Sequence, residues 1–342
     1  MRVSHHRRAG SGLLYLITSG LLWGTGGLTG TLLSRAAGLS ALAVAACRLT
    51  AGGVLIVTFL IVTRRPWPSG RAAWTRIAVI GSLAAAYQSC YFMAVSLTSV
   101  ALATLVTIGT APVIVLGVER ITGHRAGRLA AVAAGLALAG LGLLVGLPSG
   151  FPATRVLASA GLAVLAAGGF AAITLTATRP VPGLDELTVT GFGFTIGGLA
   201  LVPLAGALGG LSFRSGPEAA GLLIALGTGP TAIAYTLYFR GLRTAAASTA
   251  TLVALLEPLT GAILAAFILG QRLSATGIAG AVVLVSAVAL TVRDAGRGRL
   301  AKPAARPRRR SGRRAGRVPG RRSARPGAAA RGPARVPRPA GR

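Results

Sequence analysis

An acid and a helix breaker stand side by side inside a long apolar run. Glu257 and Pro258 interrupt TLVALLEPLTGAILAAFIL, residues 251–269, far from either end. In lipid an acidic side chain at a helix centre costs about 2.5–3.5 kcal/mol on insertion scales, so it needs a partner, a water-filled cavity or a function. Glu257 can attract a cationic group or carry a proton; the structural alternative is a hydrogen bond to a neighbouring helix. Pro258 removes a backbone hydrogen bond, as does Pro112 in an earlier apolar run, and the freed carbonyls face a cavity or are satisfied by neighbours. Both prolines are candidate hinges. Arg48, in AACRLTAGG, is the cation to set against Glu257. It can bind a carboxylate on a solute, but a structural ion pair is the simpler expectation. Tyr87, Gln88 and Tyr91 fall within one helical turn, and so do Tyr235 and Tyr238. Their rings can stack a planar or cationic ligand, although Tyr238 is placed to sit in an interfacial aromatic belt. With Trp23, the substrate-binding candidates are Trp23, Tyr87, Gln88, Tyr91, Tyr235 and Glu257. Glu119 beside Arg120 reads as an interface ion pair, and His124 as a solvated loop residue. This is chemistry for recognising and carrying a molecule. Paired acids, a His–acid couple or metal-ligand spacing do not occur in the apolar runs, so no catalytic residue, metal or cofactor is expected.

These residues are held by elements made for lipid. Of the 342 residues, 53% are hydrophobic and 12% charged, against about a quarter charged in soluble domains. The apolar residues come in blocks of about 20, the length that crosses a bilayer as a helix. Ten helices are predicted, near Gly12–Leu33, Leu42–Val62, Ile77–Leu97, Val100–Val118, Leu129–Leu147, Ala158–Thr178, Leu187–Leu208, Ala219–Phe239, Ala246–Leu269 and Thr276–Val292. With the N-terminus in the cytoplasm, thirteen arginines fall in cytoplasmic segments and four (Arg35, Arg155, Arg214, Arg272) in outer loops. That asymmetry places both termini inside and the 147–152 loop outside. Arg2, Arg7 and Arg8 precede an apolar run too long for a cleaved signal, so the first span is read as a retained anchor. Gly20/Gly24, Gly26/Gly30, Gly142/Gly146 and Gly193/Gly197 carry the four-residue spacing that lets helices approach closely. A dinucleotide loop at Gly24–Gly30 is rejected, because no strand precedes it. Cys47 and Cys90 lie in apolar runs and read as small buried side chains.

The second half repeats the first. Tyr91-Phe92 answers Tyr238-Phe239, Thr104-Leu105-Val106 answers Thr251-Leu252-Val253, and Pro112 answers Pro258 after a one-residue slip. Gly123-His124-Arg125 answers Gly270-Gln271-Arg272, Gly52-Gly53 answers Gly197-Gly198, and Trp23-Gly24 loosely answers Phe170-Ala171. Repeats of five helices, an odd number, must insert in opposite orientations, the inverted design of many secondary transporters. The predicted fold is therefore an all-α polytopic membrane protein: one five-helix repeat over 12–147, a second over 158–292, and a tail over 293–342.

The tail is Arg, Pro, Ala and Gly. Its 17 arginines and one lysine against Asp294 hold more than half of the net charge of +30. It lacks the apolar residues to fold and is predicted disordered. Anionic lipid attracts such a segment by about 1 kcal/mol per basic residue near the surface. Without aromatics to stack bases, no nucleic-acid partner is expected.

With ten spans, two repeats and the string YTLYFRGLRTAAASTATLVALLEPLTGAILAAFILGQRL (235–273), the chain resembles the EamA branch of the drug/metabolite transporter superfamily. Arg48 resembles the family's arginine in the second helix of the repeat, and Trp23-Gly24 its Trp-Gly in the first. The family's acid in the turn after each proline helix is replaced here by His124 and Gln271. The resemblance implies a central cavity between the repeats, alternating access, and a small organic solute such as an amino acid, metabolite or toxic cation. The function expected is gradient-driven transport, proton-coupled or facilitative, in the cell membrane and in the export direction. Substrate and oligomeric state are not readable. Two other classes were weighed: a membrane enzyme on a lipid substrate, for which the spans offer no acid cluster beyond Glu257, and a scaffold protein, which rests on the tail alone.

Overall fold

The computed structural model describes residues 3–123, 128–146, 150–208, 211–270 and 274–300. His124, Gln271, Arg272 and the tail past Leu300 lie outside the described residues. Among those described, every regular element is helical: α1 Val3–Ala37, α2 Ala41–Val62, α3 Arg71–Leu97, α4 Val100–Ile121, α5 Arg128–Val145, α6 Ala153–Ala177, α7 Glu186–Ala207, α8 Pro217–Gly227, a π segment Thr228–Ile233, α9 Ala234–Leu242, α10 Ala247–Val253, α11 Leu256–Leu269 and α12 Ala275–Leu300. Nine stretches of the described residues are long and apolar enough to cross a membrane, α8–α9 and α10–α11 each counting as one. The predicted first span lies within α1, which is long but diluted by the Gly- and Thr-rich stretch 24–31, and it is not among the nine. At the other end α12 continues to Leu300, beyond the predicted boundary at Val292.

Two spans read as continuous helices are broken. The ninth stops at Val253, turns through Ala254-Leu255 and restarts at Leu256. Pro258 explains the break. It has no N–H, and its ring clashes with the carbonyl four residues back, that of Ala254. Glu257 N–H instead reaches Ala254 O, at 2.9 Å. Glu257 thereby stands in the first turn of α11, where the helix dipole favours a carboxylate. The eighth span widens into a π turn at Thr228–Ile233 around Pro230, with the Thr231 hydroxyl donating to Leu226 O at 2.8 Å. The proline that matches Pro258, Pro112, leaves α4 unbroken.

Packing follows the repeat. Helices α2 and α7 hold equivalent places in the two halves and pack on each other, and so do α5 and α12. The remaining major contacts come in exchanged pairs: α3 on α6 and α9 on α1, α4 on α6 and α11 on α1, α3 on α7 and α8 on α2. Glycine makes the approach close enough. A Cβ at Gly53 would lie 2.4 Å from the Thr195 backbone nitrogen, and one at Gly198 2.5 Å from that of Thr50. A Cβ at Gly197 would lie 2.6 Å from the Gly81 carbonyl oxygen, and one at Gly140 2.9 Å from that of Gly280. Gly20 and Gly24 seat α1 against α10–α11. Gly26 of the Gly26/Gly30 pair approaches only Pro230.

Polar contacts also join the halves, Thr98 with Ser159 and Glu119 with Ser248 among them. The Glu119 carboxylate, at the end of α4, accepts from Ser248 N–H at 3.2 Å and so satisfies a free donor in the first turn of α10. The ion pair expected with Arg120 is absent: the ion pair found among the described residues joins Arg243 to Glu186.

Two stability predictions follow from this packing. Gly53→Val and Gly198→Val should each cost 3 kcal/mol or more, beyond the usual overpacking cost of about 1–3 kcal/mol, because backbone rather than side chain is in the way. Gly161, with nothing near its missing Cβ, should tolerate Ala. Fluorescence-detected gel filtration after heating separates the two outcomes. Glu119→Ala should lower stability by about 1–2 kcal/mol, the worth of a hydrogen bond to a charged acceptor. In the same assay, an Arg120→Ala protein should match the parent.

Candidate functional site

The sequence-predicted residues are gathered by three helices of the first half and two of the second. Helix α1 brings Trp23, α2 brings Arg48, and α3 brings Tyr87, Gln88 and Tyr91; α9 brings Tyr235 and α11 brings Glu257. All seven line one cavity of about 270 Å³. It runs from Trp23 and Glu257, at mid-helix, to Ser34 and Arg35 at the C-terminal end of α1 and Val100 at the start of α4. The two prolines do not line it, but Ile108 and Ala254 do. These are the residues four before Pro112 and Pro258, whose carbonyls each proline deprives of a helical donor.

Rings form the inner wall. Trp23 stands edge-on to Tyr235 at 4.8 Å between centroids and tilts against Tyr238 at 4.9 Å. Phe170 stacks on Tyr238 at 5.7 Å and meets Tyr87 at 5.8 Å. Phe194 backs Tyr235 at 4.6 Å. The Tyr91 hydroxyl pairs with Thr104 Oγ1 at 2.7 Å, a residue of the repeated Thr-Leu-Val string.

Tyr238 differs from its sequence reading. It is no belt residue: it is 1% exposed, and its hydroxyl pairs with Thr174 Oγ1 at 2.8 Å. Exposed aromatics lie elsewhere, among them Trp67 and Trp74 against Phe192. The structural ion pair expected of Arg48 does not form either. Arg48 lies beside the Tyr235 hydroxyl and interacts with Glu257 through space only.

Sequence reasoning missed Phe170, Thr107 and Pro230, which also line the cavity. Phe170 had a signal, since it is the repeat partner of Trp23. Pro230 had one too, as a proline inside an apolar run, but it is unmatched in the first half. Thr107 is 1% exposed and donates to Ala163 O at 3.2 Å; it carried no signal.

At the opposite end of the bundle lies a polar layer. Arg243 pairs with Glu186, and Arg76 donates to Thr176 O. Asp185 caps α7 by accepting from Thr188 N–H at 2.7 Å. These groups surround a small cavity of about 40 Å³. Arg243 is 40% exposed at its side chain, and a pair so open to solvent is worth about 0–1 kcal/mol. It closes this end without locking it.

The chain matches the profile of the EamA-like transporter family twice, over residues 10–146 and 157–293. It is 30% identical over 267 residues to the uncharacterized transporter YwfM of Bacillus subtilis, covering 76% of this chain and 86% of that protein. It is 25% identical to the uncharacterized inner membrane transporter YicL of Salmonella typhimurium, over 84% of this chain and 96% of that one. A solved crystal structure superposes with a TM-score of 0.70 at 22% identity, over 82% of this chain and 98% of that one, a likeness of fold. Two profile matches spanning most of the sequence, on an all-helical bundle whose contacts repeat by halves, make this chain a member of the EamA-like transporter family, a multi-pass membrane protein and a membrane transporter.

Proposed function

We propose that the chain is a secondary transporter that exports a small organic solute across the cytoplasmic membrane by alternating access, and that the solute sits in the cavity between the halves. The observation that carries this is the composition of the cavity wall. Repeat-related helices from both halves supply it, with aromatic rings, one carboxylate and two guanidiniums, Arg48 beside the rings and Arg35 at the end of the cavity. Such a wall binds and releases; it offers no nucleophile with a base beside it. Trp23, Tyr87, Gln88, Tyr91, Tyr235 and Glu257 are assigned to solute binding, and Glu257 to proton coupling as well. Pro112 and Pro258 are assigned to hinge positions in the two equivalent helices.

In this reading α1 is the tenth span and the halves are inverted. The arginine asymmetry puts both termini in the cytoplasm. The end of the cavity at Arg35 then faces outward, and the Arg243–Glu186 layer is the closed cytoplasmic side. A pair of low net worth suits a contact that breaks in every cycle. The basic tail is assigned to the anionic surface of the inner leaflet.

Reporter fusions test the topology. A C-terminal reporter should be active only in the cytoplasm, and one at 147–152 only outside; the opposite pattern removes the inverted arrangement. The site is tested in proteoliposomes with a broad solute panel, each solute measured in both directions. Glu257→Gln keeps the shape and abolishes the charge. It should fold, lose at least tenfold in transport, and flatten any pH dependence. Pro258→Ala restores a helical N–H and should leave binding within about twofold while slowing turnover, because it stiffens the break between α10 and α11. Normal transport by Glu257→Gln at every pH would make that carboxylate structural.

A further inference from the structure

The nitrogen-bearing side chains of the cavity come from one half and its carboxylate from the other. The first half contributes donors: Trp23 from α1, Arg48 from α2 and Gln88 from α3. The second half contributes the carboxylate of Glu257, from α11. Each of the three donor residues has a buried nitrogen without a hydrogen-bond partner: Trp23 Nε1, Arg48 Nε and Gln88 Nε2. Trp23 is 5% exposed and Gln88 2%. Buried polar groups are nearly always paired, and each exception has a cause. Here three such nitrogens belong to residues on the wall of one cavity, and one of them carries a full positive charge without an ion-pair partner.

What satisfies three donors, one of them cationic, is an anion with several lone pairs. A carboxylate offers two oxygens and about four acceptor sites, and its plane matches the guanidinium fork. A phosphate carries up to two negative charges against the one guanidinium beside these donors, since Arg35 lies at the other end of the cavity. A carboxylate adds one negative charge beside one guanidinium, and an amine on the same molecule would meet Glu257. The aromatic inner wall accepts an apolar body attached to the carboxylate.

We propose that Arg48, Gln88 and Trp23 form a carboxylate subsite in the cavity, which selects organic carboxylates over organic cations as the molecules it binds. The subsite rests on the transport reading only in calling that molecule the substrate; binding itself does not depend on it. A carboxylate held by first-half donors, on a molecule that also touches Glu257, Tyr235 or Phe170 of the second half, ties the halves together when the site closes.

The test is binding to the purified full-length protein in detergent, by calorimetry, with probes that share one body. These are 3-phenylpropionate, phenylalanine, 3-phenylpropanamide and phenethylammonium, with 4-methylvalerate and leucine as an aliphatic pair. Carboxylate-bearing probes should bind at least tenfold more tightly than the amide and the cation. Trp23→Phe keeps the ring and removes the N–H; Gln88→Leu keeps the size and removes the amide. Each should weaken the carboxylates about tenfold and leave the cation within about twofold, and Arg48→Gln should weaken them about a hundredfold. If Arg48→Gln does not fold, the two milder variants decide. Equal affinity for cation and carboxylate overturns the proposal. So does carboxylate binding unmoved by Trp23→Phe and Gln88→Leu, and so does silence across all the carboxylates. The expected binding pattern without uptake in proteoliposomes keeps the subsite and removes the transport reading. Uptake of the carboxylates that is indifferent to Arg48→Gln does the reverse.

Discussion

Helices in lipid gain nothing from hiding apolar side chains against one another, because the surrounding chains are as apolar as leucine. What holds them is close van der Waals contact, and that requires small residues. The structure depends on this at the seam between α2 and α7. Gly53 admits the backbone of Thr195, Gly198 admits that of Thr50, and the Gly81–Gly197 and Gly140–Gly280 approaches extend the same device to α3 and α5–α12. The doublets Gly52-Gly53 and Gly197-Gly198 are repeat partners, and their helices pack on each other. One duplicated feature therefore builds the contact between the copies. Aromatic side chains then fill the space beside the seam, where the helices diverge around the cavity.

Glycine contacts leave the polar groups of the cavity to settle their own partners. In a medium that weakens Coulomb attraction little, Arg48 and Glu257 could satisfy each other directly. They do not: the guanidinium lies beside Tyr235, and the carboxylate stands at the start of α11. The helix break makes that possible. By ending α10 at Val253, Pro258 creates a second N-terminus in mid-span, and Glu257 occupies the turn where a negative charge is favoured. A carboxylate in the first turn of a helix, where the dipole favours it, needs the guanidinium less.

Much of this was legible in the sequence, for physical reasons that differ by element. The spans were legible because lipid demands about 20 apolar residues in a row. The cavity residues were legible because polar and aromatic groups inside such runs are costly unless they face one another. Trp23, Arg48, Gln88, Tyr235 and Glu257 thus announced themselves singly, and the structure brings them together. What was not legible depends on neighbours. Tyr238 looked like a belt residue from its distance to a helix end, yet Thr174 and Trp23 bury it. Glu119 looked paired with Arg120, its chain neighbour, because nothing in the sequence brings Ser248 to it. The π turn at Pro230 was hidden because a proline in an apolar run predicts a disturbance but not its form.

The two matched prolines show where sequence reasoning reaches its limit, and why that limit bears on function. Pro112 and Pro258 occupy equivalent places, remove equivalent hydrogen bonds and follow equivalent Thr-Leu-Val strings. Even so, α4 runs through its proline while α10 and α11 are separated before theirs. The covalent cause is the same in both copies, so the difference comes from the surroundings. A lost N–H and a ring clash cost about 3 kcal/mol or more in a helix interior, and that cost is borne as a local distortion in one copy and as a full break in the other. One sequence device thus has two outcomes in this chain, and the proposed alternating access would turn on two such arrangements of one element between which a bound solute selects. A bundle with one proline helix intact and its counterpart broken has both arrangements present at once, one in each half.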